Sequence, residues 1–214
     1  MGGKRVGLAR TQALLQKLKR EIDMEGTMWG GQSSTAGPGL QSGSVAAPVT
    51  RVTNIGGQVV TTIQLDLENL SGSAGGQGDI IGNAEANVAG DSPAYLYQHK
   101  NDVNGILYKV EISCIETITG SATAGVPDWP QNLDFDISGS TLGSYGHGEV
   151  PAGDPFTVYA MGGNIAVGQT IADQAVTSSD DAYMYLVNGA AGSAGTGKFT
   201  AGKLVIRLFG HKDF

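Results

Sequence analysis

Cysteine is almost missing from this chain. Cys114 is the only one in 214 residues. That excludes an intrachain disulfide framework and any zinc site built mainly of thiolates. Histidine is scarce as well: His99, His147 and His211 stand far apart, and none has a partner one helical turn away. No helical metal-binding pair follows from them, and all three are expected at the surface. No apolar run approaches the length of a membrane span. Met1 leads into Lys4 and Arg5 rather than into the apolar stretch of a secretory leader. The chain is therefore expected to be soluble, made in a cytoplasm and without a membrane partner. A G-x-S-x-G nucleophile elbow is also absent from the sequence.

What the chain has in excess is glycine, 34 residues, about twice the ordinary usage. There is no G-X-Y period, so collagen is excluded. The glycines cluster between runs of Val, Ile, Leu and Tyr, as they do where turns punctuate strands. Charge is unevenly spread. The first 25 residues hold six basic side chains (Lys4, Arg5, Arg10, Lys17, Lys19 and Arg20) against Glu21, Asp23 and Glu25, a balance of +3. A total of -7 leaves -10 for the remainder. An acidic body repels phosphates, so no nucleic-acid partner is expected, and only the basic N-terminal segment suits an acidic surface.

Residues 4–25 read as a helix. They lack proline and are rich in helix formers such as Ala9, Ala13, Leu14, Lys17 and Lys19. Leu8, Thr11, Leu15, Leu18 and Ile22 follow a 3-4-3-4 spacing, the narrow seam of a short coiled coil, with Gly26 as its stop. Leu8, Leu15, Leu18 and Ile22 are the expected oligomerisation or docking residues; the alternative is one amphipathic helix lying on its own domain. Residues 26–47 read as a Gly/Ser/Ala/Gln linker able to extend. Met28 and Trp29 interrupt it, either as an anchor on a neighbour or as an exposed pair. The expected domains are thus an arm over 1–47 and a β-domain over 48–214.

From residue 48 the period changes to two. Residues 58–67 alternate, with Val59, Thr61, Ile63, Leu65 and Leu67 on one side. Residues 106–118 put Tyr108, Val110, Ile112 and Cys114 opposite Lys109, Glu111 and Ser113. Further strands are expected over 94–99, 133–137, 156–161, 165–167, 183–187 and 204–209, and no helix after residue 26. Strands of this length between Gly-rich turns predict an all-β fold: an antiparallel β-sandwich of jelly-roll type carrying an N-terminal helix on an extended linker.

Several stretches imitate catalytic motifs. Gly192–Lys198 matches G-x-x-x-x-G-K, but Phe199 stands where Ser or Thr would hold magnesium, and a strand rather than a helix is expected to follow. Asp134 and Asp136 share a strand face that is expected to be solvated, with no cleft around them. Asp180 and Asp181 follow Ser178 and Ser179 as a turn. Cys114 falls on the apolar side of a strand, where a buried inert thiol is expected. Tyr95, Tyr97, Tyr108, Tyr183 and Tyr185 are expected in cross-strand pairs, or lining a face on which sugars stack. No catalytic residue, cofactor or metal is expected.

Three passages carry a resemblance. KRVGLARTQALLQKLKREID (residues 4–23), GILYKVEISCIETITG (105–120) and AYMYLVNGAAGSAGTGKFTAGKLVIRLFGH (182–211) resemble virion structural proteins of tailed bacteriophages, especially those infecting marine bacteria. The likeness covers the helix and about half of the β region. It implies no reaction. It implies a capsid decoration (cement) protein located in the virion, homotrimeric, with itself and the major capsid protein or other virion proteins as partners. Alternatives are a head or tail fibre protein that contacts a host receptor or carbohydrate, and a surface-layer or filament subunit. The long Gly/Ser/Gln linker departs from the pattern and leaves the station on the particle open.

Overall fold

The computed structural model describes residues 35–41, 47–72, 78–83, 92–122, 134–151, 165–173, 179–189 and 197–212. Leu8, Leu15, Leu18, Ile22 and the rest of the expected N-terminal helix lie outside them, as does the strand expected over 156–161. Within the described residues the chain is all-β, in two antiparallel sheets.

The larger sheet begins with a hairpin. β1 (Val49–Ile55) and β2 (Gln58–Asp66) are joined by Gly56 and Gly57. Both glycines hold positive φ, 58° and 86°, the pair that a tight type I′ turn needs to match the strand twist. β2 then pairs with β9 (Gly197–His211), β9 with β5 (Ile106–Ala122), and β5 with β7 (Thr170–Asp173). The two-residue β3 (Ser71–Gly72) lies against the start of β9. The smaller sheet has the order β4 (Tyr95–Gln98), β8 (Tyr183–Asn188), β6 (Phe135–Ser140). The alternation read in β2 holds, with Val59, Thr61, Ile63 and Leu65 buried.

One hydrophobic core takes side chains from both sheets. Ile63, Ile112, Leu204 and Ile206 come from the larger sheet, and Leu96, Phe135, Ile137 and Leu186 from the smaller. Each such side chain contributes roughly 1.5–3 kcal/mol through the apolar area it removes from water. Residues 80–82 run between the sheets and bond to both: the Ile81 N–H donates to the Leu186 carbonyl of β8 at 2.9 Å, and Gly82 pairs with Ser71 of β3. The Ser71 N–H donates to the Gly82 carbonyl at 2.7 Å and the Gly82 N–H to the Ser71 carbonyl at 3.2 Å. At another crossing, against the expectation of no helix after residue 26, the four-residue helix α1 (Asn101–Asn104) leads from β4 directly into β5. It is too short to leave a helical period in the sequence.

Residues 35–41, expected as part of the loose linker, are instead built into the body. Leu40 is fully buried and Ala36 nearly so. The Gly37 N–H donates to the Tyr95 carbonyl and the Gly39 N–H to the Pro93 carbonyl, both at 2.8 Å. A Cβ on Gly37 would lie 2.2 Å from the Pro93 oxygen, so the approach of the two backbones requires glycine. Composition concealed this, because glycines needed for close packing look the same as glycines in a flexible tether.

The strand over 133–137 also differs in its surroundings. Every residue of β6 is buried, so Asp136 is not on a solvated face. Residues 141–151 cover that side of the smaller sheet. The Tyr185 hydroxyl donates to the Leu142 carbonyl at 2.7 Å, and the Ala94 N–H donates to the Tyr145 carbonyl at 2.9 Å. Tyr95, Tyr145, Tyr183 and Tyr185 meet edge to face beneath this cover. Residues 165–167 form no strand; β7 starts at Thr170.

Candidate functional site

The outward face of β1, β2, β9, β5 and β7 is the broad sheet surface open to solvent among the described residues. Its rows follow from the register. Ile55 lies beside Gln58, Gln58 beside His211, and His211 beside Ile106. In the next row Thr53 lies beside Val60, Val60 beside Phe209, and Phe209 beside Lys109. Ile55 is 63% exposed and Ile106 50% exposed. Two such isoleucines at the ends of one row are unusual for a purely solvated face, where large apolar side chains occur singly.

A β-bulge completes this patch. The pairing of β5 with β9 shifts between Leu107 and Lys109, so one extra residue is inserted there and the alternation slips. Leu107 enters the core in place of Tyr108. Tyr108, expected on the inward side, lies outside. Its ring stacks on His211 at 4.3 Å with 13° between the planes and sits 6.3 Å from Phe209. The Gln58 Nε2 donates to its hydroxyl at 2.5 Å. Lys109 holds its Nζ 5.1 Å from the Phe209 ring centroid, a cation–π contact, and 2.6 Å from the Glu111 Oε1. The signal for the slip was present in the sequence: Ile106 and Leu107 are adjacent apolar residues, and a strict period of two buries only one of them.

The opposite end of the face is charged. Lys203 pairs with Glu116 and, at 3.8 Å, with Asp66. The hydrogen bond to Glu116 and the nearby carboxylates push the Lys203 pKa up. The surface thus offers an aromatic and aliphatic patch at one end and mixed charge at the other, a composition suited to contact with another protein.

The expected catalytic look-alikes are placed as follows. Gly197, Lys198 and Phe199 open β9 rather than a helix, and Phe199 is a core residue, 1% exposed; residues 192–196 lie outside the described set. Cys114 is buried, as expected, and burial pushes its thiol pKa up. The Asp134 and Asp136 carboxylates both approach Gly189, where a Cβ would meet the Asp136 Oδ2 at 2.6 Å. His211 is exposed, but His99 is fully buried, against the expectation of a surface residue. Among the described residues, no three His, Cys, Asp or Glu side chains gather as a metal site requires, and no helix is long and apolar enough to cross a membrane. The oligomerisation residues read from the sequence lie outside the described set, so the outward sheet face is the candidate surface that the structure adds. No family model, no curated protein and no solved structure matches this chain.

Proposed function

We propose that this chain is a structural component of a bacteriophage virion, a decoration protein that sits on the capsid as a homotrimer and bridges shell subunits. The observation that leads to the reading is the strand order, taken together with the apolar patch on the larger sheet. A jelly roll places its first strand beside its last, the last beside the third, and the third beside the sixth. Its other sheet runs second, seventh, fourth, fifth. Counting from β2 and leaving out the short β3, the larger sheet reads β2-β9-β5-β7 and the smaller β4-β8-β6. Both orders agree if a fifth strand falls between β6 and β7 and pairs with β6. Residues 156–161, outside the described set and expected as a strand from the sequence, are the candidate stretch for it. Jelly rolls recur in capsid and lectin domains, and the fold alone does not choose between them.

The remaining features favour a surface module on a particle. The patch of Ile55, Ile106, Tyr108 and Phe209 gives such a module a face for a neighbour. The basic N-terminal segment attached to an acidic body supports an arm that docks on adjoining acidic surfaces. Contacts repeated by symmetry then give strong attachment from weak individual affinities. The test is removal of the chain from the virion. Particles lacking it should adsorb to their host normally while losing resistance to heat. Normal heat resistance with lost adsorption would instead support the reading as a head or tail fibre that contacts a host receptor or carbohydrate.

A further inference from the structure

His99 sits where the chain leaves the smaller sheet for the larger one, and it has no solvent exposure. The crossing is held by side chains on both flanks. The His99 N–H donates to the Ala182 carbonyl at 2.6 Å, just before β8. The Lys100 N–H donates to the Asn104 Oδ1 at 2.9 Å, and the Asn104 Nδ2 donates to the Thr61 Oγ1 in β2 at 2.8 Å. The Asn101 N–H donates to the Asp180 Oδ1 at 2.8 Å. One short crossover therefore ties β4, β8 and β2 together.

The imidazole joins this crossover by both nitrogens. Nε2 lies 3.0 Å from the Asn101 Oδ1, an oxygen that only accepts, so Nε2 carries the proton. Nδ1 lies 3.3 Å from the Tyr97 hydroxyl and uses its lone pair to accept from it. The neutral ring fits both of these contacts, while a hydrogen bond to the Gly105 backbone favours the cation. The cation would add a second N–H toward Tyr97 and a charge that water does not reach. Of the charged groups around the crossover, Asp180 acts on the ring and favours the cation, but its carboxylate is engaged with the Asn101 N–H. Lys100 and Asp181 are paired with each other at 3.4 Å, and Asp102 lies on α1. Desolvation outweighs these, and the His99 pKa is pushed down from its ordinary value of 6.5.

We propose that His99 is an acid-sensitive latch: neutral, it fastens the β4–β5 crossover across the two sheets, and protonation releases that crossover while the core remains. The sign follows from linkage. The unfolded chain protonates its histidine near 6.5 while the folded chain does not, so the folded state loses stability as the pH falls below about 6.5. The loss stops once the pH is below the depressed folded value. Within that window one proton changes the folding equilibrium by up to about tenfold per pH unit.

Two measurements on the full chain test the latch. In an NMR titration, the His99 ring should take up its proton only at a pH below the ordinary histidine value of 6.5. Below pH 6 the amides of Asn104 and Gly105 should exchange with solvent faster, ahead of those in β9. His99→Gln keeps a side-chain hydrogen bond but cannot ionise. Its urea midpoint should depend less on pH between 6.5 and 5 than that of the unaltered chain. The proposal is overturned if the His99 ring titrates at or above 6.5. An identical pH dependence in His99→Gln, or crossover amides that exchange only with global unfolding, would overturn it too.

Discussion

Single residues differ in how far the sequence exposes their surroundings. Cys114 was legible because it follows Val110 and Ile112, apolar residues at two-residue spacing on the same side of a long alternating strand. Its burial and raised thiol pKa lead to a direct expectation. A disulfide reagent at pH 8 should label Cys114 slowly in the native chain and rapidly in urea; fast labelling of the native chain would place the thiol at the surface. His99 was not legible, since its surroundings include the Asp180 turn and the Ala182 carbonyl, which are distant in sequence. Tyr108 was misread for a different reason: alternation assigns a side only until a bulge inserts a residue. Gly37 and Gly39 are sterically fixed by the Pro93 and Ser92 carbonyls. Gly37→Ala should lower stability by about 1–3 kcal/mol, as overpacking does, measured from urea unfolding.

Elements were easier to read than the boundaries between units. β2, β5 and β8 appear where period two placed them. β9 starts seven residues earlier than the 204–209 core of its pattern, because Gly202, with φ of 137°, interrupts the alternation without ending the strand. β7 was missed because four residues give too short a pattern. The arm boundary moves for a physical reason, the burial of Leu40. Removing residues 1–34 should leave a body that unfolds cooperatively, whereas removing 1–47 should also cost the packing of Ala36 and Leu40. Leu40→Ala alone should cost about 2–5 kcal/mol, and a chain starting at Pro48 that is as stable as one starting at Thr35 would contradict this. The expected seam is tested in the full chain: Leu15→Ser with Leu18→Ser should give a smaller assembly by light scattering. An unchanged mass would leave Leu8, Leu15, Leu18 and Ile22 without that role.

For the whole molecule, the all-β class was legible because turns rich in glycine and period-two runs are local signals. The solvent-facing patch on the larger sheet was not, because it arises from register across β1, β2, β9 and β5. Attachment through the basic arm should weaken as salt rises toward 0.5 M, since exposed charges are screened over about 8–10 Å already at physiological ionic strength. Salt-independent retention would place the attachment on the apolar patch instead. The most direct measurement of the central claim is an electron cryo-microscopy map of intact particles, with and without this chain. The account expects two-sheet density repeated over the capsid at sites joining neighbouring subunits, absent from particles that lack the chain. Density confined to a tail or fibre, or no difference between the two maps, would contradict it.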